Sequence, residues 1–464
     1  MLQEKTTPLL IGALLLLSIL IPMLVAGYSS LQQAEDAQAR GEFNLAAASY
    51  AHAVKLLFWR DDLFEQAGIS AAKAGQFKDA IRYFEQGVDF SEEGWVWLCT
   101  SHIQLGDFSS AISTCNEGIK NYDSAAMFEI LAFAHRRQND WDSERLALGN
   151  QTRLDPTDAY AAYRLGLLLI LYSPENAIPE LTRASTLNPE VDSAIQTLLA
   201  ALAVSNQQSD PSMQKVVIGQ AFGLVQDWEL ATTAFEQAIQ LNEENAEAWA
   251  WLGEAKQQTG GEGSAELDRA LLLNHTSVNV RALRGLYWSR QGRYEQMLAE
   301  YLLAAGIEPE NPRWQANIGE AYTKLGDLVS ALMAYQRAVE LAPTHADYWR
   351  LLAVFCAENN VQIEEVGMPA AQQALTLAPN DPAALDALGY VYLSTGRYAS
   401  AETSLAQAIE ISPEYFPAHI HLAMTYLAQG NQPAAFNSLT YVRDAEGAGM
   451  YAETARQLLV KYFR

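Results

Sequence analysis

The sequence predicts an all-α fold: a solenoid of antiparallel helix pairs, preceded by one apolar helix with the length of a membrane span. Three observations predict it: segments that recur about every 34 residues, a column of small residues at one place in each repeat, and a long uncharged run near the N-terminus.

The run comes first in the chain. Leu9 to Val25 (LLIGALLLLSILIPMLV) has no charge, and the uncharged stretch reaches from Thr6 to Ala34. As a helix rising about 1.5 Å per residue, residues 8–26 cover about 28 Å, close to the thickness of a bilayer's hydrocarbon core. A single transmembrane helix there is the expectation. The competing reading is a cleaved signal peptide, with Leu24-Val25-Ala26 before a cut at Gly27. The leading MLQEKT offsets its Lys with a Glu, and the apolar run exceeds the usual signal core, so an uncleaved anchor fits better. No Cys precedes Cys99, which excludes a lipid-attached bacterial lipoprotein. Lys5 and the free amine, weighed against Arg40 and Lys55, put the N-terminus inside and the repeats outside the cytoplasm. Beyond the run, Gly27 is expected to interrupt the helix, and Ser30-Leu31-Gln32-Gln33 matches a capping box that opens a new one.

After Gly27 the chain repeats. GQFKDAIRYFEQGV from Gly75, GDFSSAISTCNEGI from Gly106, QDWELATTAFEQAI from Gln226, GDLVSALMAYQRAV from Gly326 and GRYASAETSLAQAI from Gly396 share one pattern. Each reads as an amphipathic helix with one thin face. Upstream of each lies another helix carrying a small residue after an apolar one: Gly68, Cys99, Ala132, Gly166, Gly219, Gly253, Gly285, Gly319, Ala353, Gly389 and Ala423, with Ala34 in the first unit. Two helices pack closely only where one lacks bulk, so this column predicts a helix crossing. Pro156, Pro189, Pro309, Pro343, Pro379 and Pro413 then punctuate the array, each halting one helix near the start of the next.

The order of aromatic, Leu-Gly, Tyr, Ala, Phe or Tyr, Ala and Pro resembles the tetratricopeptide repeat (TPR) over nearly everything after Gly27. Units begin near Gly27, Asp61, Glu92, Ala125, Ala159, Ser212, Ala246, Val278, Pro312, Ala346, Pro382 and Phe416. The resemblance implies a right-handed superhelix and a solvating last helix, here Tyr451 to Tyr462. The expected organisation is residues 1–26 as tip and anchor (or signal peptide), 27–205 as a first array with an extra helix at 192–205, a seam at 206–211, a second array at 212–449 and a cap at 450–464. Two units depart in length, one longer by two residues around Asn359-Asn360-Val361 and one shorter around Gly260-Gly261-Glu262-Gly263, both at the inter-helix turn.

Composition excludes some functions. A net charge of −25, from 55 acidic and 30 basic residues, offers no basic stripe for a phosphate backbone, so nucleic acid is not an expected partner. HExxH, GxSxG, a P-loop and a dinucleotide fingerprint are all absent, and no metal or cofactor is expected. His419 and His421 stand two apart and point to different helix faces. The glycines at 260–263 are sufficiently explained as a turn. In the family's register Cys99 and Cys115 fall on opposing helices of one unit; a disulfide is conceivable, and two small buried hydrophobes is the preferred reading.

The resemblance places function in a groove lined by the first helix of each pair. The residue after each small one faces it, and none of these is Asn, so the chain does not look like a chaperone-tail clamp. Phe133, Tyr160, Tyr163, Leu167 and Ile170 are expected to form an apolar patch there, with Arg136 and Arg137 as a cationic edge. A second candidate patch is Tyr390, Leu393, Ile420, Met424 and Leu427. The expected function is a membrane-anchored, non-catalytic scaffold that assembles an envelope complex by binding other proteins. The alternative is an accessory subunit of a polysaccharide-synthesis or export machine, or a glycan- or peptide-binding module.

Overall fold

The computed structural model describes residues 6–463, with side chains from residue 17 onward. Among these it forms twenty-six α-helices and no strand. The first are α1 (Thr6–Ala39), α2 (Phe43–Leu56), α3 (Asp62–Lys73), α4 (Phe77–Phe84), α5 (Glu92–Gln104), α6 (Phe108–Gly118), α7 (Ala125–Arg137), α8 (Trp141–Leu154) and α9 (Ala159–Tyr172). Next come α10 (Ala177–Leu187), α11 (Asp192–Ser205), α12 (Pro211–Leu224), α13 (Trp228–Leu241), α14 (Ala246–Gln258), α15 (Ser264–Leu273), α16 (Val278–Arg290) and α17 (Tyr294–Ile307). The last are α18 (Pro312–Leu325), α19 (Leu328–Leu341), α20 (Ala346–Asn359), α21 (Met368–Leu377), α22 (Pro382–Ser394), α23 (Tyr398–Ile411), α24 (Phe416–Ala428), α25 (Gln432–Glu446) and α26 (Met450–Tyr462). Two compact units emerge: residues 1–209 with 220–230, and residues 210–219 with 231–464.

Within each unit, neighbouring helices pack in antiparallel pairs, and the first helix of a pair also touches the first helix of the next, as α5 does α7 and α22 does α24. Local chemistry sets the boundaries. Ser91, Ser124 and Asp158 cap α5, α7 and α9 by accepting hydrogen bonds from the N–H groups of Gly94, Met127 and Ala161. Between the helices of a pair the chain reverses through a left-handed residue, for example Gly106 at φ 75° and Gly326 at φ 79°.

The small-residue column marks the crossings. A Cβ on Gly68 would lie 2.8 Å from the Phe84 ring, one on Gly319 2.9 Å from Tyr335, and one on Gly389 2.6 Å from Leu405, so bulk on either helix would push the pair apart. Cys115 follows Cys99 at a separation of 16 residues, the offset of Phe84 from Gly68 and of Tyr335 from Gly319. The structure joins these two buried cysteines as a disulfide, with Cα atoms 5.7 Å apart, in place of the preferred reading as unlinked small hydrophobes. The longer unit absorbs its extra residues as left-handed Asn360 and Gln362, followed by a π-helical turn at Ile363–Gly367 that runs into α21. The glycine turn of the shorter unit is tight, because Gly263 at φ 70° sits directly against the Gly253 carbonyl.

The N-terminal expectations need correction. Among the described residues no helix is long and apolar enough to cross a membrane, which overturns the transmembrane helix, the membrane partner at residues 8–26 and the single-pass, extracytoplasmic placement. The expected tip at residues 1–5 and the side chains of residues 8–16 lie outside what the structure describes. Nor does Gly27 break a helix, since α1 is continuous from Thr6 to Ala39 and Ser30 lies inside it. The physical reason is a crossing: Gly27 is buried where a Cβ would meet the Leu57 side chain at 2.7 Å. Leu24 already packs against the core formed by Leu31, Ala34, Tyr50, Val54 and Leu57, so the end of the apolar run belongs to the first repeat.

Candidate partner-binding groove

The amphipathic register of α7 decides what it shows to solvent. Met127, Leu131 and Ala134 turn inward and are buried, leaving Glu129, Ile130, Phe133 and Arg137 on the other side. Across from them, α5 presents Val96, Thr100 and Ile103 at spacings of four and three, one continuous face. The two helices bound a cavity of about 390 Å³, walled by these α5 residues and Gln104 and by Ala126, Glu129, Ile130 and Phe133 of α7. Phe133 keeps 44% of its surface exposed and meets the edge of Phe108 with ring centroids 6.3 Å apart. The Arg137 guanidinium lies 5.7 Å from the Phe108 ring.

Arg136, expected as a free cationic edge, is already engaged. Its Nε donates to Glu144 Oε1 at 2.8 Å, and a terminal nitrogen donates to the Tyr160 hydroxyl at 2.5 Å. Glu144 is fully buried and also receives Arg164 through both carboxylate oxygens, at 2.8 and 3.1 Å, while Arg164 reaches Asp227. Burial works to lower the Arg164 pKa, but its hydrogen bonds to Glu144 and the charge of Asp227 prevail and hold it above its ordinary value. A buried carboxylate held by two guanidiniums is a structural lock between α7, α8 and α9, and Arg137 is the arginine left facing outward.

The rest of the expected patch divides. Tyr160 is 61% exposed and Tyr163 half-buried, its phenol pushed up by burial and by the charge of Asp227. Leu167 and Ile170 do not line an open groove, being 3% and 1% exposed. Of the expected patch, Phe133 and Tyr160 thus lie at the surface, and the α5 wall was not among the residues singled out from the sequence. The spacing of Val96, Thr100 and Ile103 was the signal available.

In the second unit, Ile420 is 5% exposed, and Met424 packs with Tyr451 and Leu458 of α26 around Ala423, Leu439, Val442 and Ala455. Tyr390 is half-buried and stacks on His421 at 4.2 Å, and His421 Nδ1 lies 2.7 Å from Asp386 Oδ1. Leu393 and Leu427 are half-buried. His419 turns elsewhere, to the Pro413 carbonyl at 2.9 Å. Among the described residues no group of His, Cys, Asp and Glu is arranged to hold a metal ion.

Comparison with known proteins finds partial matches. Residues 282–458 match the family model of the cilia and flagella-associated protein 70 C-terminal domain. Superkiller complex protein 3 of Mus musculus is 20% identical over 351 residues, 60% of this chain and 22% of that protein. PEX5-related protein of Homo sapiens is 33% identical over 110 residues, 23% of this chain and 17% of that protein. The chain therefore spans about a fifth of the length of the curated relatives it matches. Among solved structures, the crystal structure of the APC/C hetero-tetramer Cut9-Hcn1 aligns over 94% of this chain and 96% of that one, at 13% identity and a TM-score of 0.44. This chain is a TPR-like helical repeat protein.

Proposed function

We propose that this chain is a non-catalytic scaffold that assembles a protein complex by holding a segment of a partner protein in the trough between α5 and α7, with Tyr160 of α9 extending the contact. The observation that carries the reading is Phe133, a large aromatic left 44% exposed at the mouth of a cavity whose other walls are mostly aliphatic. A largely apolar cavity with a carboxylate, an amide and a hydroxyl in its lining accepts an apolar side chain and fixes its surroundings by polar contact. The similarity to Superkiller complex protein 3, by its name part of a complex, supports the class. The test is affinity capture by the full chain, compared with a Phe133→Asp/Tyr160→Ala variant whose circular dichroism and melting temperature match the wild type. Proteins retained by the wild type and lost by the variant support the reading. An identical set retained by both, or a specific glycan with no protein, overturns it.

A further inference from the structure

The pair of α5 and α6 is held together by different means from its neighbours. At other crossings a large buried side chain fills the space beside the small residue, as Phe84 does at Gly68, Tyr335 at Gly319 and Leu405 at Gly389. Helix α5 buries only Gly94, Cys99 and Ser101, and α6 only Ala111, Cys115 and Gly118, so neither adds a large side chain to the closed core. Cys115 occupies the place of Phe84 and Tyr335, and a covalent bond stands in for the apolar area they bury.

That bond lies between the supports of the two trough walls. Backward, α5 is fixed to α3: Ser91 donates to Glu65 Oε1 through its N–H at 2.8 Å, Lys73 donates to Glu93 at 2.8 Å, and Trp97 and Leu98 pack against Ile69 and Phe84. Past Cys99, Thr100 and Ser101 bond only back along α5, to the Val96 and Trp97 carbonyls. Forward, α6 is fixed to α7, since Gln138 donates to Ser109 Oγ at 3.1 Å, Phe108 meets Phe133, and Met127 lies against Gly118.

We infer that the Cys99–Cys115 bridge is a redox switch on the trough. Closed, it holds α6, and α7 with it, against α5; reduced, it lets the pair part at the end of α5 that carries Thr100, Ile103 and Gln104, and the cavity is lost. The inference rests on the docking role of the trough and adds its regulation. The reductant is a small thiol of the glutathione class. Its thiolate attacks one bridge sulfur to form a mixed disulfide, and the other cysteine leaves as a thiolate that takes up a proton. A second thiol displaces the first, so two thiols depart joined as a disulfide while Cys99 and Cys115 each gain one electron and one proton. Both sulfurs are buried, so attack follows local opening of the pair, which the lack of a large core side chain favours.

The experiment treats the full chain with excess glutathione at neutral pH. Alkylation after a denaturing quench should count one free thiol, Cys356, before treatment and three after it. Native-state hydrogen exchange at α5 and α6 should then accelerate about a hundredfold, as release of a loop of this length implies, with α18 and α19 unchanged. Proteins captured through Phe133 should be lost from the reduced chain. Cys99→Gly/Cys115→Leu, which copies the crossing of Gly389 with Leu405, should keep both protection and capture under the same thiol. Cys99→Ser/Cys115→Ser should behave as the reduced chain with no thiol added. Three free thiols with unchanged exchange, or a bridge that resists glutathione until the whole chain melts, overturns the switch. Faster exchange with capture retained overturns the gating and leaves the docking groove standing. Capture that is the same in Phe133→Asp removes the docking reading, and this regulation with it, whatever the exchange rates.

Discussion

In the first unit, Phe133 and Tyr160 stay 44% and 61% exposed beside an open cavity, whereas in the second Ile420 is 5% exposed and Met424 lies under the last helix. Both patches sit on the first helices of their pairs and both are apolar. What separates them is a covering helix. Helix α26 packs on α24 and α25, and it brings Tyr451, Leu458 and Leu459 to cover the α24 side chains. Among the described residues no such cover lies over the trough of α5 and α7. The same distinction splits the first patch internally, because Leu167 and Ile170 continue the stripe of Tyr160 and Tyr163 along α9 yet are core. An apolar helix face is thus a docking surface only where the stacking leaves it open, and substitution distinguishes the two states directly.

The largest effects fall on the covered residues. Ile420→Asp and Leu167→Asp each place an unpaired carboxylate in a closed apolar site, and each is expected to cost more than about 3 kcal/mol of stability in denaturant melts. Phe133→Asp is expected within about 0.5 kcal/mol of wild type by the same measurement, as for an exposed position. Comparable losses at all three sites would erase the contrast between open and covered faces. Next comes the bridge beneath the open groove. Cys99 and Cys115 close a loop with a separation of 16 residues, so replacing both with Ala is expected to remove about 3 kcal/mol on the chain-entropy account. Native-state hydrogen exchange should then accelerate at α5 and α6 while α18 and α19 keep their protection; unchanged exchange at α5 would show that the bridge adds nothing to this pair.

Much of the scaffold was legible from residues. Helices α5, α7, α9, α14, α16, α18, α20, α22 and α24 start at the positions read from the repeat, and α3 and α12 within one residue, because small residues, caps and prolines recur in a fixed order. Gly27 was not legible. A glycine at the end of an apolar run looks the same whether it breaks a helix or admits a neighbour, and the deciding group, Leu57, is far along the chain. Leu167 failed for a related reason, since periodicity names a face without naming its cover. The cavity lay in plain view as the stripe of Val96, Thr100 and Ile103, but its depth depends on how closely α5 and α7 approach, which spacing alone does not give.

Crossings give an intermediate effect. Gly319→Leu drives a side chain into Tyr335, whose ring already lies 2.9 Å from a Cβ position, and is expected to cost about 1 to 3 kcal/mol through displacement of α18 from α19. Gly106, where no atom lies within 4 Å of a Cβ, has strain at φ 75° without overpacking. Gly106→Ala should therefore cost about 1 kcal/mol. If Gly106→Ala proves the costlier of the two in urea melts, backbone conformation and not the small-residue column controls these pairs.

The smallest effect lies at a surface pair between α3 and α5. Lys73 of α3 donates to Glu93 of α5 at 2.8 Å, and that hydrogen bond, opposed by partial burial, holds the Glu93 carboxyl below its usual range. A carboxyl whose folded pKa is lowered adds stability above its unfolded value, near pH 4.3, and that stability is lost as the pH falls through the folded value. The side chains are 26% and 57% exposed, so solvent screens the pair and its worth is well under 1 kcal/mol. The counterpart in the second unit, His421 with Asp386, pairs groups only 20% and 7% exposed. Lys73→Met, which keeps an apolar stem over the Trp97 ring, is therefore expected to shrink the difference in stability between pH 7 and pH 3 by less than about 1 kcal/mol, and 1 M salt should abolish even that. Asp386→Asn should cost more and resist salt, because its surroundings are closed. A Lys73→Met loss that matched it and persisted in salt would mean that the surface between α3 and α5 is packed as tightly as the covered patch, and the contrast between the two units would fail there.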